Sequence, residues 1–210
     1  MSSEFATSAS VPTIETISPG EQLSRLCVRR RVPITIALLA LLLVVDGFVF
    51  HGKPRDVLNW TDPVAAAGVL LIVVGLLVRS WAAGTLKKQK QLATTGPYAF
   101  VRHPLYFGST LMMIGFGALG FSPWSLAVVG PPLAYIYWQT IRSEERLISK
   151  LFPIDWPGYA ASVPRIIPRR LVVPKLSEWS LALWLKNSEF QAWIGAAAGL
   201  LALKLYQLIG

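Results

Sequence analysis

Five long apolar runs constrain this chain more than any other feature. They cover residues 34–50, 64–81, 105–121, 124–141 and 190–208. A run of roughly 17–25 mostly apolar residues is long enough to cross a bilayer as a helix. Backbone in lipid must satisfy its own hydrogen bonds, which favours helices. The expected fold is therefore an all-α integral membrane protein with about five transmembrane helices. Composition agrees: 53% of the 210 residues are hydrophobic and 15% charged, against about 25% charged in soluble domains. The first run is the shortest and carries Asp46, an intramembrane acid and so a functional candidate by default. Its place near the outer end of the run points instead to the membrane interface. The fourth run contains Pro131-Pro132, which should kink it. Gly115, Gly117 and Gly120, with Ala118, give the third run a small-residue face suited to close helix packing.

The net charge of +9 is distributed as membrane topology requires. Arg25, Arg29, Arg30 and Arg31 precede the first run. Lys87, Lys88, Lys90 and Arg102 lie between the second and third. Eight further Lys and Arg residues lie between the fourth and fifth. The connections after the first and third runs are nearly free of net positive charge. The positive-inside rule then puts the N-terminus in the cytoplasm and the C-terminus outside. The basic charge sets orientation and meets anionic lipid heads; no nucleic-acid motif accompanies it. Cys27 is the sole cysteine, and His51 and His103 are the only histidines. Neither a disulfide nor a thiolate or histidine-rich metal site is expected. The expected division is a flexible basic cytoplasmic N-terminus over 1–32, an N-terminal transmembrane hairpin over 33–82, a core over 83–170, and an amphipathic linker with the last helix over 171–210. The first run starts too late and lacks the cleavage site for a cleaved signal peptide, so it reads as a retained anchor.

Two polar clusters sit at the cytoplasmic helix ends. In the first, Gly96-Pro97 reads as a turn, and Pro104 fits the first turn of a helix, where its missing N–H costs nothing. Arg102 and His103 then lie just outside a helix N-terminus that attracts anions. The turn brings Lys90, Gln91, Leu92 and Ala93 back over that helix end, and Tyr98 and Tyr106 add aromatic faces able to hold a cation. A ligand with a carboxylate, a ribose and a positive sulfur finds a partner for each part here, a description that fits S-adenosylmethionine. The competing reading is an ordinary interface of Arg and Tyr anchors at headgroup depth. In the second cluster, Glu144 and Glu145 continue the fourth helix past the interface. A carboxylate there could bind the ammonium of the same ligand or pair with Arg102 or Arg142. For Glu145 the bland reading is a solvated helix end with a weak surface ion pair.

The ordered set Gly96, Tyr98, Arg102, His103, Pro104, Tyr106 and Gly108, then Glu144-Glu145, Phe152, Tyr159 and Val163-Pro164, resembles the isoprenylcysteine carboxyl methyltransferase family of integral membrane enzymes. The resemblance runs from about residue 79 to 168. It implies S-adenosylmethionine as cofactor, held in a cytoplasmic pocket by Lys90, Gln91, Leu92, Ala93, Tyr98, His103, Tyr106 and Glu144 and closed by the segment around Tyr159 to Ile167. Departures fall on the substrate side. Eukaryotic members place a substrate-binding arginine where this chain has Thr140. Ala161 and Ser162 stand where Arg or Lys is frequent, and Pro153 follows Phe152 in place of glycine. Arg142 and Arg165 are the candidates to replace the missing arginine.

Methyl transfer is an in-line displacement that needs proximity rather than a metal or covalent nucleophile. A carboxylate acceptor cancels charge in the transition state. An alcohol or amine also needs a general base, for which Glu145 and His103 are the candidates. The acceptor expected is lipophilic, with a prenylcysteine-like carboxylate one possibility, entering from the bilayer. Two other readings stay open: an NADPH-dependent membrane reductase of the sterol reductase type, and a non-enzymatic membrane scaffold.

Overall fold

The computed structural model describes Asp46 and residues 53–87, 91–169 and 179–209. The described residues form helices and no strands. Helix α1 spans Pro63–Thr85, and a short 3-10 turn spans Gly96–Ala99. Helices α2 (Pro104–Gly120) and α3 (Pro123–Leu151) form an antiparallel hairpin. Two short helices, α4 (Asp155–Ser162) and α5 (Leu181–Lys186), precede the last, α6 (Phe190–Ile209). The second to fifth apolar runs are thus helical. The first lies outside the described residues, apart from Asp46.

Local chemistry places the starts of α1, α2 and α3. Asp62 caps α1 by accepting hydrogen bonds from the Val64 and Ala65 N–H groups, with Pro63 at the first helical position. Pro104 opens α2 and Pro123 opens α3 in the same way. Ser122 caps α3 by accepting from Ser125 N. Asp46 is buried there and accepts from Ser122 N at 2.8 Å and Ser125 Oγ at 2.6 Å. It serves as an anchor for the α2–α3 turn. Helix α3 runs unbroken through Pro131-Pro132, which leaves the Ala127 and Val128 carbonyls without helical donors. Its 29 residues reach about 43 Å at 1.5 Å per residue, beyond a hydrocarbon core of about 30 Å. The last turns of α3, Arg142 to Lys150, carry its charged residues.

Helices α1 and α2 touch backbone to backbone. A Cβ on Gly75 would lie 2.5 Å from the Gly108 carbonyl oxygen, and one on Gly115 would lie 2.5 Å from that of Gly68. Both pairs are seven residues apart on their helices, so they recur on one face. This corrects the expectation of one small-residue face on α2. Gly115 meets α1, whereas Gly117 meets Leu126 of α3 and Gly120 meets Leu203 of α6. Successive residues turn about 100° around a helix, which sends these glycines to three neighbours. The core beside the α1–α2 seam holds Ala65, Ile72, Leu76, Leu119 and Ala196.

Large apolar side chains also face outward, among them Leu70, Leu77, Ile114, Val128, Ile194 and Leu201. Among the described residues α1 is long and apolar enough to cross a membrane, and α2 is a shorter apolar helix. The architecture is consistent with a membrane protein, while the expected count of five spans is not established. The loop before α1 is tied to α6 by Lys204 Nζ, which donates to Asp56 Oδ1 at 2.8 Å.

The glycine seam predicts a contrast. Gly75→Ala should destabilise the protein by about 1–3 kcal/mol through overpacking. Gly130→Ala, with nothing within 4 Å of the added carbon, should not lower the melting temperature in detergent. Equal melting temperatures for the two variants would contradict the seam.

Candidate functional site

The polar helix ends assemble around one turn. Gly96 has φ 60°, a left-handed conformation that glycine adopts without the Cβ penalty. It turns the chain so that Gln91, Leu92 and Ala93 and then Tyr98 lie beside α2. The segment after α4 folds back onto the same place. Tyr159 Oη donates to the Tyr98 carbonyl at 2.8 Å. Arg102 N donates to the Pro164 carbonyl at 2.8 Å and His103 N to the Arg165 carbonyl at 3.0 Å. These bonds lash the stretch from Tyr159 to Arg165 across the helix ends.

Glu144 and Glu145 are neighbours on α3 and so point about 100° apart. Glu144 turns to α2, where Tyr106 Oη donates to its Oε1 at 2.6 Å. Its Oε2 lies 3.9 Å from His103 Nδ1. Glu145 turns to the folded-back segment and is buried, not the solvated helix end that sequence suggested. Its Oε1 lies 2.9 Å from Arg102 Nη1 and 3.4 Å from His103 Nε2, and its Oε2 lies 2.9 Å from Arg165 Nη2. Arg102 rests on the Trp156 ring and Arg165 on that of Trp138. Burial would raise the Glu145 pKa, but the approach of His103 Nε2, the hydrogen bonds from Arg165 and the charges of Arg102 and Arg165 outweigh it and hold the carboxyl down at about 2. Such a carboxylate is a poor proton acceptor near neutrality.

Behind this cluster opens a cavity of about 660 Å³, within the roughly 300–1,000 Å³ of small-molecule sites. Gln91, Leu92, Ala93, Tyr98, Tyr106 and Glu144 all line it. His103 does not; it sits behind Tyr106, ring edge to ring, with centroids 5.9 Å apart. Lys90 lies outside the described residues. Arg142, Glu145 and Arg165 are off the cavity wall. They border a shallower hollow of about 270 Å³ with Trp156, and Arg142 is exposed there. The Tyr98 hydroxyl is buried on the cavity wall with no hydrogen-bond partner among the described residues. Burial above all, then the charges of Tyr159, Glu144 and Glu189, push its pKa up, so it stays protonated and able to donate to a ligand.

Sequence reasoning missed the opposite wall. Arg79 of α1 forms a bidentate pair with Glu189, Nε to Oε1 at 2.8 Å and Nη2 to Oε2 at 2.9 Å. Glu189 follows a turn in which Ser188 has φ 58°. Beside it Asn187 Nδ2 donates to the Ala83 and Leu86 carbonyls, which satisfies open acceptors at the α1 C-terminus. The available signal was Arg79 itself, a charge inside an apolar run. Among the described residues no group of three or more His, Cys, Asp or Glu is placed to hold a metal ion.

The fold and site define a helical protein of membrane type with a cofactor-sized cavity at its helix ends. The family model for phospholipid methyltransferase matches residues 64–154. The nickel-cobalt-cadmium resistance protein NccN of Alcaligenes xylosoxydans xylosoxydans is 32% identical over 142 residues, 66% of this chain and 62% of NccN, so the match spans less than two thirds of that relative. The cobalt-zinc-cadmium resistance protein CzcN of Cupriavidus metallidurans is 31% identical over 154 residues, 72% of this chain and 67% of CzcN. Protein-S-isoprenylcysteine O-methyltransferase A of Arabidopsis thaliana is 24% identical over 158 residues, 70% of this chain and 78% of that protein. No solved structure matches the chain. The chain belongs to the phospholipid methyltransferase family, the group of membrane methyltransferases that also takes in the isoprenylcysteine methyltransferases.

The Glu145 cluster predicts acid sensitivity with a definite sign. The carboxyl is held at about 2 in the folded protein against an ordinary 4.5, so the unfolded chain takes up the proton first on acidification. The cluster's stabilisation is present in full above about pH 4.5 and is lost as pH falls toward about 2. Melting temperature should therefore drop more steeply across that window for the native protein than for Glu145→Gln. Parallel curves would show that Glu145 does not carry the effect.

Proposed function

We propose that this protein is an S-adenosylmethionine-dependent membrane methyltransferase that transfers a methyl group to a lipophilic acceptor, with its cavity on the cytoplasmic side. The observation that carries the reading is the convergence on one cavity of six positions marked in sequence. Gln91, Leu92, Ala93, Tyr98, Tyr106 and Glu144 come from two segments and two helices, and family membership supports reading them as a methyl-donor site. The residues fit the cofactor in kind. Glu144 offers a carboxylate to its ammonium, the buried Tyr98 hydroxyl offers an unused donor, and the rings of Tyr98 and Tyr106 offer π faces to a sulfonium.

When bound, the cofactor supplies a methyl group on positively charged sulfur. The chain's residues do the holding. Tyr106 orients Glu144 through its 2.6 Å hydrogen bond. His103 packs against the Tyr106 ring and stands between the two glutamates. In this reading Glu145 and Arg165, put forward as catalytic from sequence, act instead by holding the Tyr159-to-Arg165 segment over the cavity, and Arg142 has no direct part. Leu86, Leu147, Ile148, Leu151 and Phe152 give the cavity an apolar wall, and an apolar surround favours methyl transfer over side reactions with water.

Calorimetric titration of S-adenosylmethionine into protein held in nanodiscs tests this. The native chain should bind saturably. Glu144→Ala should lose about 10–100-fold in affinity, the worth of a charge-assisted hydrogen bond. Tyr98→Phe should lose about 3–10-fold, the worth of a neutral one. No binding by the native chain, with NADPH bound in its place, would support the reductase reading instead.

A further inference from the structure

The shallower hollow beside the cofactor cavity has a chemistry of its own, which does not depend on the methyltransferase reading. It is about 270 Å³ in volume and is bordered by Arg142, Glu145, Arg146, Ser149, Trp156 and Arg165. Residues 142, 145, 146 and 149 follow the i, i+3, i+4, i+7 spacing, which sets them on one face of α3. Trp156 of α4 and Arg165 of the folded-back segment border the hollow from outside that helix. Trp156 lines the larger cavity as well.

Charge there is unbalanced. Among the described residues Glu145 is the one carboxylate bordering the hollow, and it is already engaged. Arg165 directs Nε to both its oxygens, at 3.2 and 3.0 Å, and Nη2 to Oε2 at 2.9 Å. Arg102 meets Oε1 at 2.9 Å from the cavity side. Arg165 Nη1 and the guanidinium groups of Arg142 and Arg146 have no hydrogen-bond or ion-pair partner among the described residues. Three guanidinium groups thus border one space with a single carboxylate, which a fourth also claims. Like charges one helical turn apart, as Arg142 and Arg146 are, destabilise a helix, and a bound anion would relieve them.

The donors select the kind of anion. Arg165 is fixed by its bonds to Glu145 and rests on the Trp138 ring, 5.0 Å from the centroid, so its remaining edge is preset. A carboxylate has two oxygens to offer. A phosphate monoester has three, with up to two negative charges, and suits guanidinium groups that approach from two segments. Ile154 and Ile167, each two residues from a wall residue of the hollow, leave large apolar side chains exposed, surface of the kind acyl chains cover. We propose that this hollow is a phosphate-binding site, for a lipid headgroup phosphate or for free phosphate, in which the anion bridges Arg142 and Arg146 of α3 to Arg165. Arg165 belongs to the segment lashed across the helix ends, so an occupied site fixes that segment more firmly.

The test uses the full chain in an uncharged maltoside detergent, which brings no phosphate of its own. Short-chain phosphatidic acid, inorganic phosphate and, as a neutral control, the matching diacylglycerol are titrated at a constant ionic strength set with chloride. Calorimetric binding and the melting temperature are both read. At least one phosphate should bind saturably, beyond the neutral control, and raise the melting temperature by mass action. Phosphatidic acid bound about tenfold or more tightly than inorganic phosphate identifies the headgroup as the source; equal or weaker binding identifies free phosphate. Arg142→Gln with Arg146→Gln should weaken binding about tenfold or more without lowering the melting temperature of the unliganded protein. Arg169→Gln with Lys186→Gln removes the same charge away from the hollow and should bind as the native chain does. Phenylglyoxal labelling of the native chain gives a second reading if the first pair does not fold: bound phosphate should shield Arg142 and Arg146. No saturable phosphate binding, equal losses in the two double variants, or unshielded arginines overturn the site.

Discussion

A carboxylate buried among two guanidinium groups and an imidazole is the interaction on which the site depends. Burial opposes the ionisation of Glu145, and Arg102, Arg165 and His103 together hold it charged. Each partner comes from a different part of the chain than α3, so the one anion ties the end of α3 to the Arg102-His103-Pro104 turn and to the segment after α4. Two backbone hydrogen bonds between that turn and that segment complete the joint. Removing Glu145 would leave two arginines close together without their counter-charge, the costly way to break a buried ion pair. The neighbouring Glu144 owes its position over the cavity to the same rigid helix end.

The opposite wall is built by a different means. Glycine contacts bring α1 and α2 to backbone distance, which sets Arg79 beside Leu105 and Ser109. The chain before α6 is then stitched to the end of α1. Ser180 N donates to the Gly84 carbonyl, Asn187 to those of Ala83 and Leu86, and Trp179 and Trp193 to Ser80. Glu189 reaches Arg79 only because that turn is fixed. The cavity thus lies between an ion-pair joint on one side and a helix seam on the other, and in the function proposed here the first side holds the cofactor.

Much of this was legible in the sequence where the signal is local. Pro104 at a helix start, Gly96 at a turn and the charged extension of α3 are each decided by a few neighbouring residues. The gathering of Gln91, Leu92, Ala93, Tyr98, Tyr106 and Glu144 could be expected because the ordered motif resembles a known family. Long-range pairings left no such trace. Arg79 and Glu189 are 110 positions apart, one in an apolar helix and the other in a turn, and no periodicity links them. Glu145 was misjudged as a solvated helix end because a helix pattern cannot show that Arg165, 20 residues on, folds back to cover it. The small-residue face on α2 was misplaced for a related reason: glycine content is visible in a sequence, but the neighbour each glycine meets is set by the packing of three other helices.

Photocrosslinking with labelled S-adenosylmethionine, followed by peptide mapping, tests the central claim most directly. Ultraviolet irradiation of the protein in nanodiscs should place label on the peptides holding Gln91 to Tyr106 and Tyr137 to Tyr159, and unlabelled S-adenosylhomocysteine should suppress it. Label that falls elsewhere, such as on the Asp46–Ser122 end of the helices, or that competitor does not displace, would contradict a cofactor site at this cavity.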